Sequence, residues 1–150
     1  METNRLSIAL DKETEITMEM EITFPGGARV DASYNGFAIK TDQPPQGGGE
    51  GSAPTPFDLF LASIGTCAGI YVLGFCRQRG IPTEGIRLRQ SLEFNPGTRM
   101  IEGVNLDIDL PADFPQQYAP ALIRSAELCA VKKHLEKPPA FSIRTHINGK

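Results

Sequence analysis

The sequence predicts an α+β fold, with antiparallel sheets wrapping two mostly apolar helices in the order βββ-α-ββ-α-β. Three observations predict it. Stretches on either side of residue 70 alternate apolar and polar side chains with a period of two, as half-buried strands do. A run without charge between Asp58 and Arg77 is bounded by helix start and stop signals. A later stretch, 115–137, repeats its apolar residues at helical spacing. At 150 residues the chain fits one ordinary domain, 1–150, long enough to bury a sizeable core.

Composition narrows the function classes. With 40% hydrophobic and 22% charged residues the chain is that of a globular protein, and its formal charge of -3 gives no general attraction to phosphate backbones. No basic run with interleaved aromatics is present, so no nucleic-acid partner is expected. The opening "METNRLSIALDKETEI" lacks the uninterrupted apolar segment of a secretory signal, and a cytoplasmic location is expected. There an odd count of three cysteines argues against a structural disulfide set.

The elements follow in order. "EITMEMEITF" (15–24) alternates Ile16, Met18, Met20, Ile22 and Phe24 with polar residues, and "PGG" turns it back. "ARVDASY" and "FAIKTD" flank "NG" at 35 and 36, a tight-hairpin signal, so the N-terminal third reads as a three-stranded meander. "QPPQGGGEGSAPT" (43–55) is too rich in Pro and Gly for helix or strand; it reads as a flexible loop, or as a mobile flap beside the helix that follows.

"TPFD" then opens a helix, with Thr55 as N-cap, Pro56 at the first helical position and Asp58 three residues after the cap. The helix is expected to reach Arg79 and stop at Gly80. Its uncharged run sits at the lower limit for a membrane span. The many small residues, the lack of a second such segment and the flanking strand meanders favour the central helix of a core instead, with a second helix packed close, as at the centre of a dimer.

"EGIRLRQSLEF" and "RMIEGVNLDIDL" alternate around "NPGT" as a second hairpin. In 115–137, Ala119, Leu122, Ile123, Ala126, Cys129 and Ala130 share one face of a single expected helix that Pro138 and Pro139 end. "AFSIRTHI" alternates as a last strand.

The cysteines carry the chemistry. Cys67 and Cys76 point to opposite sides of one helix and lie about 13 Å apart along it, too far for a mutual disulfide. Cys129 faces inward on the second helix and would meet one of them if the helices pack face to face. Each thiol alone also reads as a small buried hydrophobe. There is no C-x-x-C, and His134 and His146 have no ligand spacing, so no metal is expected.

"APTPFDLFLASIGTCAGI", followed 62 residues after its cysteine by the cysteine of "AELCAVKKHL", resembles the OsmC/Ohr family of bacterial thiol peroxidases. "FPGGARVDA" and "FAIKTDQP" are similar to the N-terminal strands of OsmC-like members. The resemblance implies an OsmC-like fold in an intertwined homodimer. It also implies a thiol-dependent peroxidase that reduces organic hydroperoxides in oxidative or osmotic stress, with no cofactor. Cys67 would be the peroxidatic thiol and Cys129 the resolving thiol, and an external dithiol, lipoyl-based or small-molecule, would reduce their disulfide. The family's strand arginine matches Arg29; it would supply the cation that a mid-helix thiol needs to ionise. Two departures stand out. Phe57 occupies the place of a glutamate that positions this arginine in the organic-hydroperoxide-resistance branch, leaving Asp58 as the nearest carboxylate, with a capping or a catalytic role. "CAVKKHL" also lacks the proline that follows the second cysteine in other members. The alternative within the same fold is a non-enzymatic protein binding a small apolar ligand in the dimer groove. Cys76 has no family counterpart and reads as core.

Overall fold

The computed structural model describes residues 18–149. Residues 15–17, where the first strand is expected to begin, and the N-terminal stretch read for a signal lie outside them. The chain divides into two compact units that meet in sequence at Thr55 and Pro56.

The N-terminal unit is the expected meander. β1 (Glu21–Gly26), β2 (Arg29–Tyr34) and β3 (Phe37–Ile39) pair antiparallel in the order β1-β2-β3. Tyr34 pairs with Phe37 across Asn35 and Gly36, both at positive φ, as a two-residue hairpin turn demands. The sheet leaves its apolar side chains in water: every β1 residue is exposed, as are Phe37 and Ile39 of β3.

The Gly-rich segment after β3 is a folded loop and no flexible linker. Asp42, 1% exposed, organises it. One carboxylate oxygen accepts the Gln43 N–H at 2.8 Å; the other accepts the N–H groups of Glu50 and Ser52 and the Ser52 hydroxyl, the last at 2.6 Å. These donors, the Ser52 hydroxyl foremost, hold the Asp42 carboxyl down at about 2. A 3-10 turn at Pro45–Gly47 and bonds from Asp42 N to Pro54 O and from Gly51 N to Gln43 O complete the loop. The sequence hides this order because three of the four donors are backbone amides, which every residue but proline supplies.

The second unit opens with α1 (Pro56–Gln78), beginning at the expected proline with Asp58 in its first turn. Its end is a Schellman motif: Ile81 N–H reaches Cys76 O at 2.9 Å, Gly80 N–H reaches Arg77 O at 3.3 Å, and Gly80 takes φ +64°. α1 is long and apolar enough to cross a membrane by length and composition. Its buried residues, however, form the stripe Ile64, Ala68, Val72, Phe75 and Cys76, the mark of a helix packed on a core along one side. β4 (Arg87–Asn95) and β5 (Met100–Asp109) form an antiparallel hairpin, in register from Arg87 opposite Asp109 to Asn95 opposite Met100, with a bulge at Glu93 and Phe94. On its outer side Arg89 grips Asp109 through two hydrogen bonds, at 2.6 and 3.0 Å.

The expected single helix over 115–137 is two helices. α2 (Ala119–Ala126) follows a 3-10 turn at Gln116–Tyr118, and α3 (Ala130–Glu136) starts afresh after Cys129. Val72, Phe75 and Cys76 of α1 pack with Phe114 and with Leu122 of α2 as the core, against Ile86, Leu88 and Ile108 from the hairpin side. The core thus gathers at the C-terminal half of α1. Residues 140–147 keep their alternation yet pair with no strand among the described residues, and Phe141, Ile143 and Ile147 are each at least 87% exposed. A strand exists only with a partner edge, and this one has none within the described chain.

Candidate active site

The break between α2 and α3 builds the site. Glu127 and Leu128 form a turn, and Cys129 takes a non-helical conformation (φ -45°, ψ 123°) as the N-cap of α3. Its sulfur accepts the Lys132 N–H at 3.4 Å, the bond an N-cap side chain makes, and its thiol points to the carbonyl of Ile64 on α1 at 3.9 Å. Cys129 is 2% exposed, and Cys67 beside it is half-buried. The structure therefore brings together the two thiols that the resemblance pairs.

Their environments push them apart. The Val131 amide at the start of α3 foremost, then the Cys129 side chain and the Ala130 amide, push Cys67 below the ordinary thiol value against the cost of partial burial. Cys129 is pushed up, first by burial and then by the sulfur of Cys67, although the Lys132 and Val131 amides oppose this. Cys67 is thus the more acidic of the two thiols and Cys129 the less.

The activating donors were not legible in the sequence. A mid-helix cysteine gains little from its own helix, which points to a neighbouring cation. Besides any such cation, the first turn of α3 offers backbone N–H groups, which a helix start leaves without partners inside the helix. The break that exposes them carries no Gly or Pro at 127–129 and so no sequence signal.

The other expected residues are placed as follows. Asp58 lies in the first turn of α1. Phe57 is exposed and stacks on Phe60, ring centroids 5.6 Å apart, so an aromatic pair stands where the related branch has its glutamate. Arg29 is at the start of β2 in the N-terminal unit, its Nε donating to the Gly26 carbonyl at 3.2 Å. Cys76 is fully buried within the core, and burial raises its thiol. A cavity of about 540 Å³ opens beside Cys129, walled by Ile64, Ala68, Leu88, Leu106 and Leu122 with Asp107, Glu127 and Lys132 among its polar lining. Among the described residues no group of three or more His, Cys, Asp or Glu is gathered as a metal site.

This combination of a meander, a long central helix and a hairpin with two shorter helices is an OsmC-like fold. Solved structures share it. An osmotic stress induced and detoxification response protein from Psychrobacter arcticus aligns at TM-score 0.62 and 24% identity over 79% of this chain and 87% of its own. An OsmC-like protein from Mycoplasma pneumoniae aligns at 0.63 and 11% over 83% and 90%. The organic hydroperoxide resistance protein OhrB of Bacillus subtilis aligns at 0.51 and 20% over 82% and 93%. The family model described as OsmC-like protein matches residues 49–144, and the chain belongs to that family. No curated protein matches it.

Proposed function

We propose that this chain is a thiol-dependent peroxidase for organic hydroperoxides, with Cys67 as the peroxidatic and Cys129 as the resolving thiol. The observation that carries the reading is Cys129, the N-cap of α3, set against α1 beside an apolar cavity, with Cys67 pushed below and Cys129 above the ordinary thiol value. The Cys67 thiolate attacks the terminal oxygen of the hydroperoxide; the O–O bond breaks, the alkoxide leaves and takes a proton, and Cys67 becomes a sulfenic acid. The Cys129 sulfur then attacks the sulfenic sulfur, water departs and a disulfide forms, which an external dithiol such as a lipoyl group reduces by exchange. The apolar walls beside Cys129 suit the organic part of the peroxide.

Arg29 enters the proposal as the cation of the family's strand arginine, and Asp58 as the carboxylate nearest the position that Phe57 occupies. The protein works in the reducing cytoplasm as one OsmC-like domain, the family match running across the boundary between the two units. It works as a homodimer, which would cover the apolar side chains of β1 and of residues 141–147 that one chain leaves in water.

The test is mass spectrometry after one equivalent of cumene hydroperoxide. A Cys67–Cys129 disulfide is expected; two free thiols in a folded protein would end the peroxidase reading. The cavity supports a second reading, in which the fold holds a small apolar ligand without turnover. That reading predicts a tightly retained apolar molecule in native mass spectra and cysteines whose replacement leaves binding intact.

A further inference from the structure

Two residues break local rules, and they touch each other. Apolar residues recur at alternate positions from Ile86, just before β4, through Leu88, Leu92 and Phe94, and the series is interrupted by one glutamine, Gln90. A partly buried amide costs free energy unless it is bonded, and a leucine there would serve sheet packing better. Gly65 sits in the interior of α1, where glycine costs about 1 kcal/mol relative to alanine. The Gln90 Nε2 donates to the Leu61 carbonyl at 3.0 Å, so its amide lies across the helix at Gly65. A Cβ at Gly65 would stand 2.7 Å from the Gln90 Oε1 and 3.8 Å from Leu106 Cδ2. The glycine makes room for the amide, and the amide bonds a carbonyl that α1 already uses internally.

We propose that Gln90, seated on Gly65, is a positioning residue that fixes the rotation of α1 against β4 and so the facing of Cys67 toward Cys129 and the start of α3. The inference rests on the peroxidase reading for its purpose. Its geometry is independent of that reading. The turn from Leu61 to Gly65 is held on the hairpin side by Gln90 and on the other side by Cys129, whose thiol points to the Ile64 carbonyl. Cys67 follows two residues after Gly65. A nonpolar contact would hold the same distance between helix and hairpin but would leave the helix free to roll, since apolar packing is not directional. Clustering of rule-breaking residues at one turn is what a site under functional constraint produces.

The variants are Gln90→Leu, which restores the apolar series, Gly65→Ala, which displaces the amide while improving helix propensity, and the double variant. The readout is the pH profile of iodoacetamide alkylation at Cys67, resolved by tandem mass spectrometry, alongside thermal melting. Both single variants should melt within a few degrees of the parent. The midpoint of the profile should rise by about one pH unit, slowing alkylation near neutral pH by about tenfold. The double variant should match either single one, because each removes the same contact. A profile unmoved in both single variants would overturn the proposal, as would shifts that add in the double variant. Alkylation needs no peroxide, so it judges Gln90 even where the parent protein forms no Cys67–Cys129 disulfide with cumene hydroperoxide; that failure would count against the peroxidase reading alone.

Discussion

The two halves of α1 carry one cysteine each and treat it oppositely. Around Cys67 the helix is lined by small residues, Gly65, Ala68 and Gly69, and is met by polar groups: the Gln90 amide, the Cys129 thiol and the first N–H groups of α3. Around Cys76 it is met by Val72, Phe75, Phe114 and Leu122, with no donor aimed at the sulfur, and burial raises the thiol. The same residue type on the same helix is thus pushed toward thiolate at one end and held as thiol at the other. What separates their acidities is what each thiol meets outside the helix, and a helix period cannot report that.

The sharpest way to break this comparison is to exchange sulfur for oxygen at each end. Cys67→Ser should lose hydroperoxide reduction by about a thousandfold or more, as removal of a nucleophile does, while Cys76→Ser stays within a few-fold of the parent. Turnover with cumene hydroperoxide and a dithiol measures both; substantial activity in Cys67→Ser would overturn the assignment. Next in size is Cys129→Ser, which should leave Cys67 as a sulfenic acid trapped by dimedone and slow turnover about tenfold or more, through loss of the positioned resolving thiol. A disulfide between Cys67 and Cys76 in that variant would show that the two halves are not as separate as α1 makes them.

Stability should reverse the ranking. Cys76→Ser puts a hydroxyl in place of a sulfur buried within the apolar core, and urea unfolding should show a loss of about 1–3 kcal/mol. Cys67→Ser, half-exposed, should cost less. The pH dependence separates the halves again. The Cys76 thiol ionises more readily in the unfolded chain than in the fold, so stability should fall as pH rises past the ordinary thiol value of about 8.5. Cys67 has the opposite sign: its contribution is present above the unfolded thiol value and is lost as pH falls through its lowered folded value. Unfolding curves from pH 6 to 10 should therefore flatten on the alkaline side in Cys76→Ala, whereas Cys67→Ser should remove a rise in stability just below the ordinary thiol value.

Elements whose causes are local were legible in the sequence. Pro56 and Gly80 mark the ends of α1, Asn35–Gly36 marks its hairpin, and period-two runs mark β4 and β5, because each signal acts within a few residues. The site was legible only as a pair of cysteines with a family resemblance. The break at Glu127–Cys129 has no breaker residue, and the donors on Cys67 are main-chain groups without sequence identity. The order in the 43–54 loop comes from one carboxylate, Asp42, whose four hydrogen bonds, all but the Ser52 hydroxyl, go to amides. Gln90 was visible as the polar member of an apolar series, a signal that acquires meaning only when Gly65 is found beneath it.

The smallest effect tests whether the two ends of α1 are mechanically independent. Gly80 at φ +64° lets Ile81 close its bond to Cys76 O, beside the core thiol and far along the helix from Cys67. Gly80→Ala forces a side chain into a left-handed backbone and should cost about 1 kcal/mol of stability. The strain falls on the last turn, where the core cluster is anchored. Cys76 should then become slightly more accessible to a thiol reagent such as DTNB, while the alkylation profile of Cys67 stays where it is. If the Cys67 profile moves with this change, α1 transmits strain along its length and the comparison between its halves fails; if only Cys76 responds, the hairpin and α3 hold the reactive half by themselves.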